Sequence, residues 1–132
     1  MQMIRPGKIQ HEASGYLMTD SMLIDISALD TLRQILGDDV NDLLEEYCRI
    51  TPGLFEELVN ASASGNAENM VSVAHQLKGM SANLHITGLA ALFRSVELRG
   101  KNGDIDGIDI VISDGRQTLT DTINLINEML KA

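Results

Sequence analysis

Apolar residues in this chain recur three and four positions apart in run after run, and short polar breaks separate the runs. That spacing gathers side chains on one stripe of an α-helix, whereas a half-buried strand needs strict alternation. Ile26, Leu29, Leu32 and Ile35 or Leu36 form the first stripe, and Gly37 suits its stop position. Ser27 and Asp30 stand at the spacing of a capping box. Asp38 is suited to cap a longer second helix with the stripe Val40, Leu43, Leu44, Tyr47, Ile50, Leu54, Leu58 and Ala61. Pro52 lacks an amide donor, which predicts a kink or a division near Thr51. A turn at Ser62, Ser64 and Gly65 follows, and Asn66 can cap the third helix. Its buried stripe is Ala67, Met70, Ala74, Leu77, Ser81 and Leu84, with a turn near His85 to Thr87. The fourth helix carries Leu89, Leu92, Phe93 and Val96 and breaks at Asn102 and Gly103. Ile108, Ile112, Leu119, Ile123, Ile126 and Leu130 mark the last. Residues 108–112 are β-branched enough to pass for a strand, but the stripe continues from them, which assigns them to the helix. Short turns between amphipathic helices imply antiparallel neighbours. The predicted fold is all-α: an antiparallel up-and-down four-helix bundle with a short leading helix.

Composition narrows what such a bundle can do. The 132 residues suit one domain, read as a leader or linker remnant over 1–22 and the bundle over 23–132. Aromatics are 3% and Trp is absent, so Leu, Ile, Val, Met and Ala must fill the core. A formal net charge of -9 argues against binding nucleic acid or an anionic membrane and suits a basic patch on a protein partner. Cys48 is the only cysteine, so no intrachain disulfide can form, in keeping with a cytoplasmic protein. No apolar run is long enough to span a bilayer. Arg5 and Lys8 are followed by His11, Glu12, Ser14 and Gly15 rather than by the apolar core of a signal peptide.

The third helix holds the most informative residues. On a helical wheel centred on Met70, Ala74, Leu77, Ser81 and Leu84 fall within about 40° of the centre. His75 falls about 140° away, Gly79 about 180°, Ala82 about 120° and Lys78 about 80°. His75 is thereby predicted to face outward, with a lysine and a glycine one turn along. An exposed neutral imidazole is a nucleophile near neutral pH. A lysine one turn away can offset negative charge acquired by the ring. A glycine inside a helix costs about 1 kcal/mol against alanine, and close approach of a partner is a reason to keep it. Taken singly, each residue has a plainer explanation: an idle surface histidine, a solvated lysine, a packing glycine. Their joint spacing favours a site.

Ala74-His75-Gln76-Leu77-Lys78-Gly79 resembles the A-H-x-L-K-G signature of histidine-containing phosphotransfer (HPt) domains. Leu89, Leu92, Val96 and Glu97 are similar to the pattern that follows it, and Ile24-Asp25, Leu36-Gly37-Asp38 and Gly65-Asn66 to features upstream. The resemblance implies that His75 accepts a phosphoryl group through Nε2, that Lys78 steadies it and that Gly79 gives it room. It also implies that Glu97 accepts from Nδ1–H of His75 and orients the ring. Val71, Gln76 and Ala82 border the expected docking surface. Arg94 adds docking charge there or is simply solvated. Many such domains have glycine where this chain has His85, which is read as a turn residue rather than a second acceptor. Expected partners are the receiver domains of response regulators and a hybrid sensor histidine kinase. The chain is expected to work as a monomer, without a cofactor or metal of its own, Mg²⁺ being brought by the receiver. It has no Walker motif and no kinase glycine loop, so a phosphocarrier is expected rather than an enzyme. Two alternatives share the fold: a phosphoacceptor domain of a larger chemotaxis-type or hybrid histidine kinase, and a helical binding module that is never phosphorylated. A metal-binding bundle is the weakest alternative, because His11, His75 and His85 lack ligand spacing.

Overall fold

A computed structural model describes residues 18–131. They form six helices: α1 (Asp20–Leu23), α2 (Ile26–Leu36), α3 (Asp39–Ala63), α4 (Ala67–Asn83), α5 (Thr87–Lys101) and α6 (Ile108–Lys131). The four long ones, α3 to α6, make the bundle. α4 packs between α3 and α5, and α6 closes the ring against α3 and α5. α2 lies on α3, and α1 lies against α5 and α6.

Local chemistry sets most of the boundaries. Asn66 caps α4 by accepting from the Asn69 amide at 3.0 Å. Gly37 ends α2 at φ 63°, where a side chain would be strained. The cap of α2 differs from the expected capping box. Asp25, not Ser27, takes the position, and its carboxylate accepts from the Ala28 amide at 3.0 Å. Asp38 precedes α3 but makes no capping bond, and Asp39 and Asp42 supply negative charge to the first turn instead. Pro52 does not divide α3, which runs as one 25-residue helix. Its flanking turns stay attached to the core through Tyr47, Thr51 and Phe55, which are buried one turn apart.

The core is mainly aliphatic, and it contains an aromatic pair. Phe55 of α3 meets Phe93 of α5 edge to face, ring centroids 6.3 Å apart. The stripe of α3 follows Val40, Leu44, Tyr47, Thr51, Phe55, Leu58 and Ala61. Phe55 and Thr51 are absent from the expected stripe, and Leu43, included there, is 45% exposed. Both Leu54 and Phe55 fit helical periodicity, and the larger ring occupies the centre while Leu54 is partly buried.

The expected leader over residues 1–22 needs correction at its inner end. Residues 1–17 lie outside the described residues, but Met18 and Leu23 are buried in the core. Thr118 Oγ1 donates to Met18 Sδ at 3.7 Å. Gly88 of α5 lets the α1 backbone come close, since a Cβ there would lie 2.9 Å from the Met22 carbonyl oxygen. The bundle thus includes residues 18–22. Four residues of helix are too few to show a period in sequence, so α1 could not be found that way.

The α4–α5 turn explains His85. It is the one described non-glycine residue with positive φ, at 58°. Its carbonyl accepts from the Asp25 amide at 2.9 Å, which ties the start of α2 to the end of α4. An L-residue in this conformation costs roughly 1–2 kcal/mol, partly offset by the lower entropy of its unfolded state compared with glycine. His85→Gly should therefore raise stability by about 1 kcal/mol in urea unfolding. An unchanged or lower midpoint would show that the imidazole contributes contacts that outweigh the strain.

Candidate functional site

The rotation of α4 is set by what it buries. Met70, Val73, Ala74, Leu77 and Ser81 face the core. Ser81 Oγ donates to the Leu77 carbonyl at 2.8 Å and shares a 2.7 Å hydrogen bond with the Tyr47 hydroxyl of α3. With that face held, His75 points outward, as the wheel predicts, and its side chain is 67% exposed.

α5 brings the group that holds the imidazole. Leu89, Phe93, Val96 and Glu97 are its buried residues. The Glu97 side chain is only 5% exposed, yet it makes three polar contacts. Its Oε2 lies 2.8 Å from Nδ1 of His75 and 3.1 Å from Nζ of Lys101, and its Oε1 lies 2.7 Å from Nζ of Lys78. An ionised carboxylate can only accept, so Nδ1 carries the proton and donates. In the neutral ring Nε2 is then the unprotonated nitrogen, on the outward edge. The Lys78 ammonium is the main cause that draws the Glu97 carboxyl down to about 2. Removal from water opposes this, and Lys101 and His75 reinforce it.

Close approach of α4 and α5 makes these distances possible. A Cβ on Gly100 would lie 2.5 Å from Cγ2 of Val71 and 3.2 Å from Cε of Met70. Even the smallest side chain at position 100 would force Val71 to shift beside Glu97. Sequence reasoning missed both Gly100 and Lys101. Their signal was their spacing: they follow Glu97 by three and four residues on the same helix and so return to its face.

The other expected site residues divide into groups. Gln76 and Ala82 are exposed beside His75 on the outer face of α4. Arg94 is exposed and lines one cleft with Lys78, Glu97, Leu98 and Lys101. Val71 is only partly open, because its Cγ2 faces Gly100 and supports α5. Lys78 is engaged with Glu97 rather than extended alongside Nε2. Gly79 is surrounded by open space, with nothing within 4 Å of where a Cβ would stand. His85 belongs to the turn. Among the described residues no group of three or more His, Cys, Asp or Glu side chains could hold a metal ion, and no helix is long and apolar enough to cross a membrane.

An outward imidazole with its inner nitrogen bound to a buried carboxylate, on the second long helix of a four-helix bundle, defines a histidine phosphotransfer class. The Hpt domain model matches residues 42–132, and the chain belongs to that family of phosphorelay proteins. Its fold is similar to the crystal structure of histidine-containing phosphotransfer protein B (HptB) from Pseudomonas aeruginosa PAO1, with a TM-score of 0.78 at 20% identity, covering 83% of this chain and 95% of that one. No curated protein sequence matches. Domains of this family are phosphocarriers that work with receiver domains and histidine kinases.

Acid titration offers a test of the Glu97 contacts. Folding lowers the carboxyl from 4.5 to about 2, so the folded state favours the charged form. The resulting stability is complete above pH 4.5 and is lost as the pH falls toward 2. Glu97→Gln should be less stable than wild type near neutrality and flatten the fall in urea midpoint across that window. Parallel curves for the two proteins would mean that the three contacts contribute nothing to folding.

Proposed function

We propose that His75 is the phosphoacceptor, taking a phosphoryl group from the aspartate of one receiver domain and passing it to the aspartate of another. The observation that carries this reading is the pairing of an exposed ring with an Nδ1–Glu97 bond of 2.8 Å, which leaves Nε2 as the nucleophile. Nε2 attacks the phosphorus of the phosphoaspartate in line with the departing oxygen. The N–P bond forms, the acyl P–O bond breaks, and its electron pair returns to the receiver's carboxylate. The proton stays on Nδ1, so the ring gains positive charge while the phosphoryl group keeps its negative charge. Glu97 stabilises the first charge, and Lys78, turning from Glu97, offsets the second. The second transfer reverses these changes, and a ring whose Nδ1 is already protonated leaves as a neutral imidazole. The receiver supplies Mg²⁺ and its acidic pocket, so this chain needs no cofactor and catalyses no ATP-dependent step.

The receiver is proposed to sit over the outer face of α4. Leu36, Leu43 and Met80 offer an apolar flank where α2, α3 and α4 meet, and Leu36 and Leu43 are 40% and 45% exposed. Lys78 and Arg94 offer a cationic flank toward α5. Gln76, Ala82 and the open part of Val71 lie between. An apolar centre with a polar rim suits a contact that must release its partner. The chain is proposed to act as a cytoplasmic monomer, fed by a hybrid sensor kinase.

Incubation with acetyl-phosphate-charged receivers should give wild type an acid-labile, base-stable phosphoryl label that His75→Gln lacks. Label retained by the variant would remove His75 from the role. Gly79→Ala separates site from scaffold. The added methyl meets open space within this chain, so the variant should gain about 1 kcal/mol of stability through helix propensity. It should also transfer more slowly, because the methyl enters the space of the incoming phosphoryl group. Full transfer by a stabilised Gly79→Ala protein would show that the glycine is not kept for access.

A further inference from the structure

Three donors meet Glu97, and they are not equivalent. Lys78 alone holds Oε1, at 2.7 Å, and it comes from α4. Lys101 shares Oε2 with His75, at 3.1 Å, and it comes from the same helix as Glu97, four residues on. An exposed i,i+4 ion pair ordinarily contributes a few tenths of a kcal/mol. Here the acceptor is almost removed from water, so the consequence of the contact is different. If Lys78 turns toward a phosphoryl group, Oε1 loses its partner. A covered carboxylate left with an imidazole as its only donor would either hold Lys78 back or take up a proton, and protonation would end the bond to Nδ1–H. Lys101 prevents both. Its ammonium stays with Glu97 because both residues ride on α5, and its place at the last residue of that helix suits a cation beside exposed carbonyls. Arg94, the other cation lining the cleft, stands before Glu97 on α5 and remains exposed for a partner.

We propose that Lys101 is a positioning residue for phosphotransfer: it keeps Glu97 charged and aligned on Nδ1 of His75 when Lys78 leaves Glu97 for the phosphoryl group. Lys101 does not touch the reacting atoms. It makes Lys78 exchangeable and keeps the proton on Nδ1 through bond formation at Nε2. This rests on the reading of His75 as the acceptor and adds a residue to that site.

The test uses the full chain with Lys101→Met, Lys101→Arg, Glu97→Gln and Glu97→Gln/Lys101→Met, together with Lys78→Met alone and combined with Lys101→Met or Lys101→Arg. Long-range ¹⁵N–¹H spectra of unphosphorylated His75 report the fraction protonated on Nδ1, whether or not the protein is ever phosphorylated. Lys78→Met stands for the state in which Lys78 has left Glu97; in that background Lys101→Met should lower the fraction, and Lys101→Arg should keep it. In the otherwise unchanged chain Lys101→Met should slow transfer from a charged receiver roughly tenfold, with little change in thermal midpoint, and Lys101→Arg should restore the rate. Glu97→Gln/Lys101→Met should be no slower than Glu97→Gln alone, because the effect passes through Glu97. A tautomer fraction in Lys78→Met/Lys101→Met equal to that of Lys78→Met would overturn the proposal, as would a wild-type transfer rate in Lys101→Met or additive losses in Glu97→Gln/Lys101→Met. Failure of wild type to label at His75 is a separate outcome. It would remove the phosphoacceptor reading, while the tautomer measurement would still decide whether Lys101 orients the pair.

Discussion

A carboxylate with almost no access to water is stable only if donors replace the water, and Glu97 has three of them. That requirement organises the site. It draws Lys78 and His75 from α4 toward α5, assigns the imidazole proton to Nδ1 and turns Nε2 outward. The low carboxyl pKa follows from the same contacts, foremost the one to Lys78. A histidine on the same helix face without Glu97 would be an ordinary surface residue able to hold its proton on either nitrogen.

The bundle supplies the distances on which this depends. Tyr47 and Ser81 pin α4 to α3 with a buried hydrogen bond, and the apolar stripes fix the rotation of each helix. The glycine at position 100 then lets α5 approach α4 where Val71 and Met70 project. The two glycines near the site have opposite explanations. A Cβ at Gly100 would meet the side chains of Val71 and Met70, whereas one at Gly79 would meet nothing among the described residues. The outer face of α4 is bordered by leucines on one side and by cations on the other.

Much of this is legible in the sequence. The periods of α3 to α6, the Asn66 cap, the Gly37 stop and the outward face of His75 follow from spacing, because helical geometry converts a three-and-four repeat directly into a face, whereas in α2 only Leu29 of the expected stripe is buried and Ile26, Ile35 and Leu36 are exposed. The errors lie where two local solutions compete. Asp25 and Ser27 both offer a capping oxygen, and the path of the chain into α2 chooses between them. Leu54 and Phe55 both fit the stripe of α3, and the volume available opposite Phe93 decides. Pro52 removes one backbone donor, but side chains buried on both sides of it keep α3 whole. α1 is a single turn that owes its existence to α5 and α6.

Spacing along the chain was enough to specify α2 to α6, the four long helices of the bundle and the exposure of one imidazole beside a lysine and a glycine. These are properties of residues within a few positions of one another, and local backbone geometry expresses them without help. The packing of α4 on α5 was needed to bring Lys78 and His75 to Glu97 and to set Val71 against α5, whereas Lys101 meets Glu97 by i,i+4 spacing on one helix. Each of the contacts from α4 crosses between two helices. Its distance is therefore set by how closely those helices pack, which no spacing along a single helix specifies.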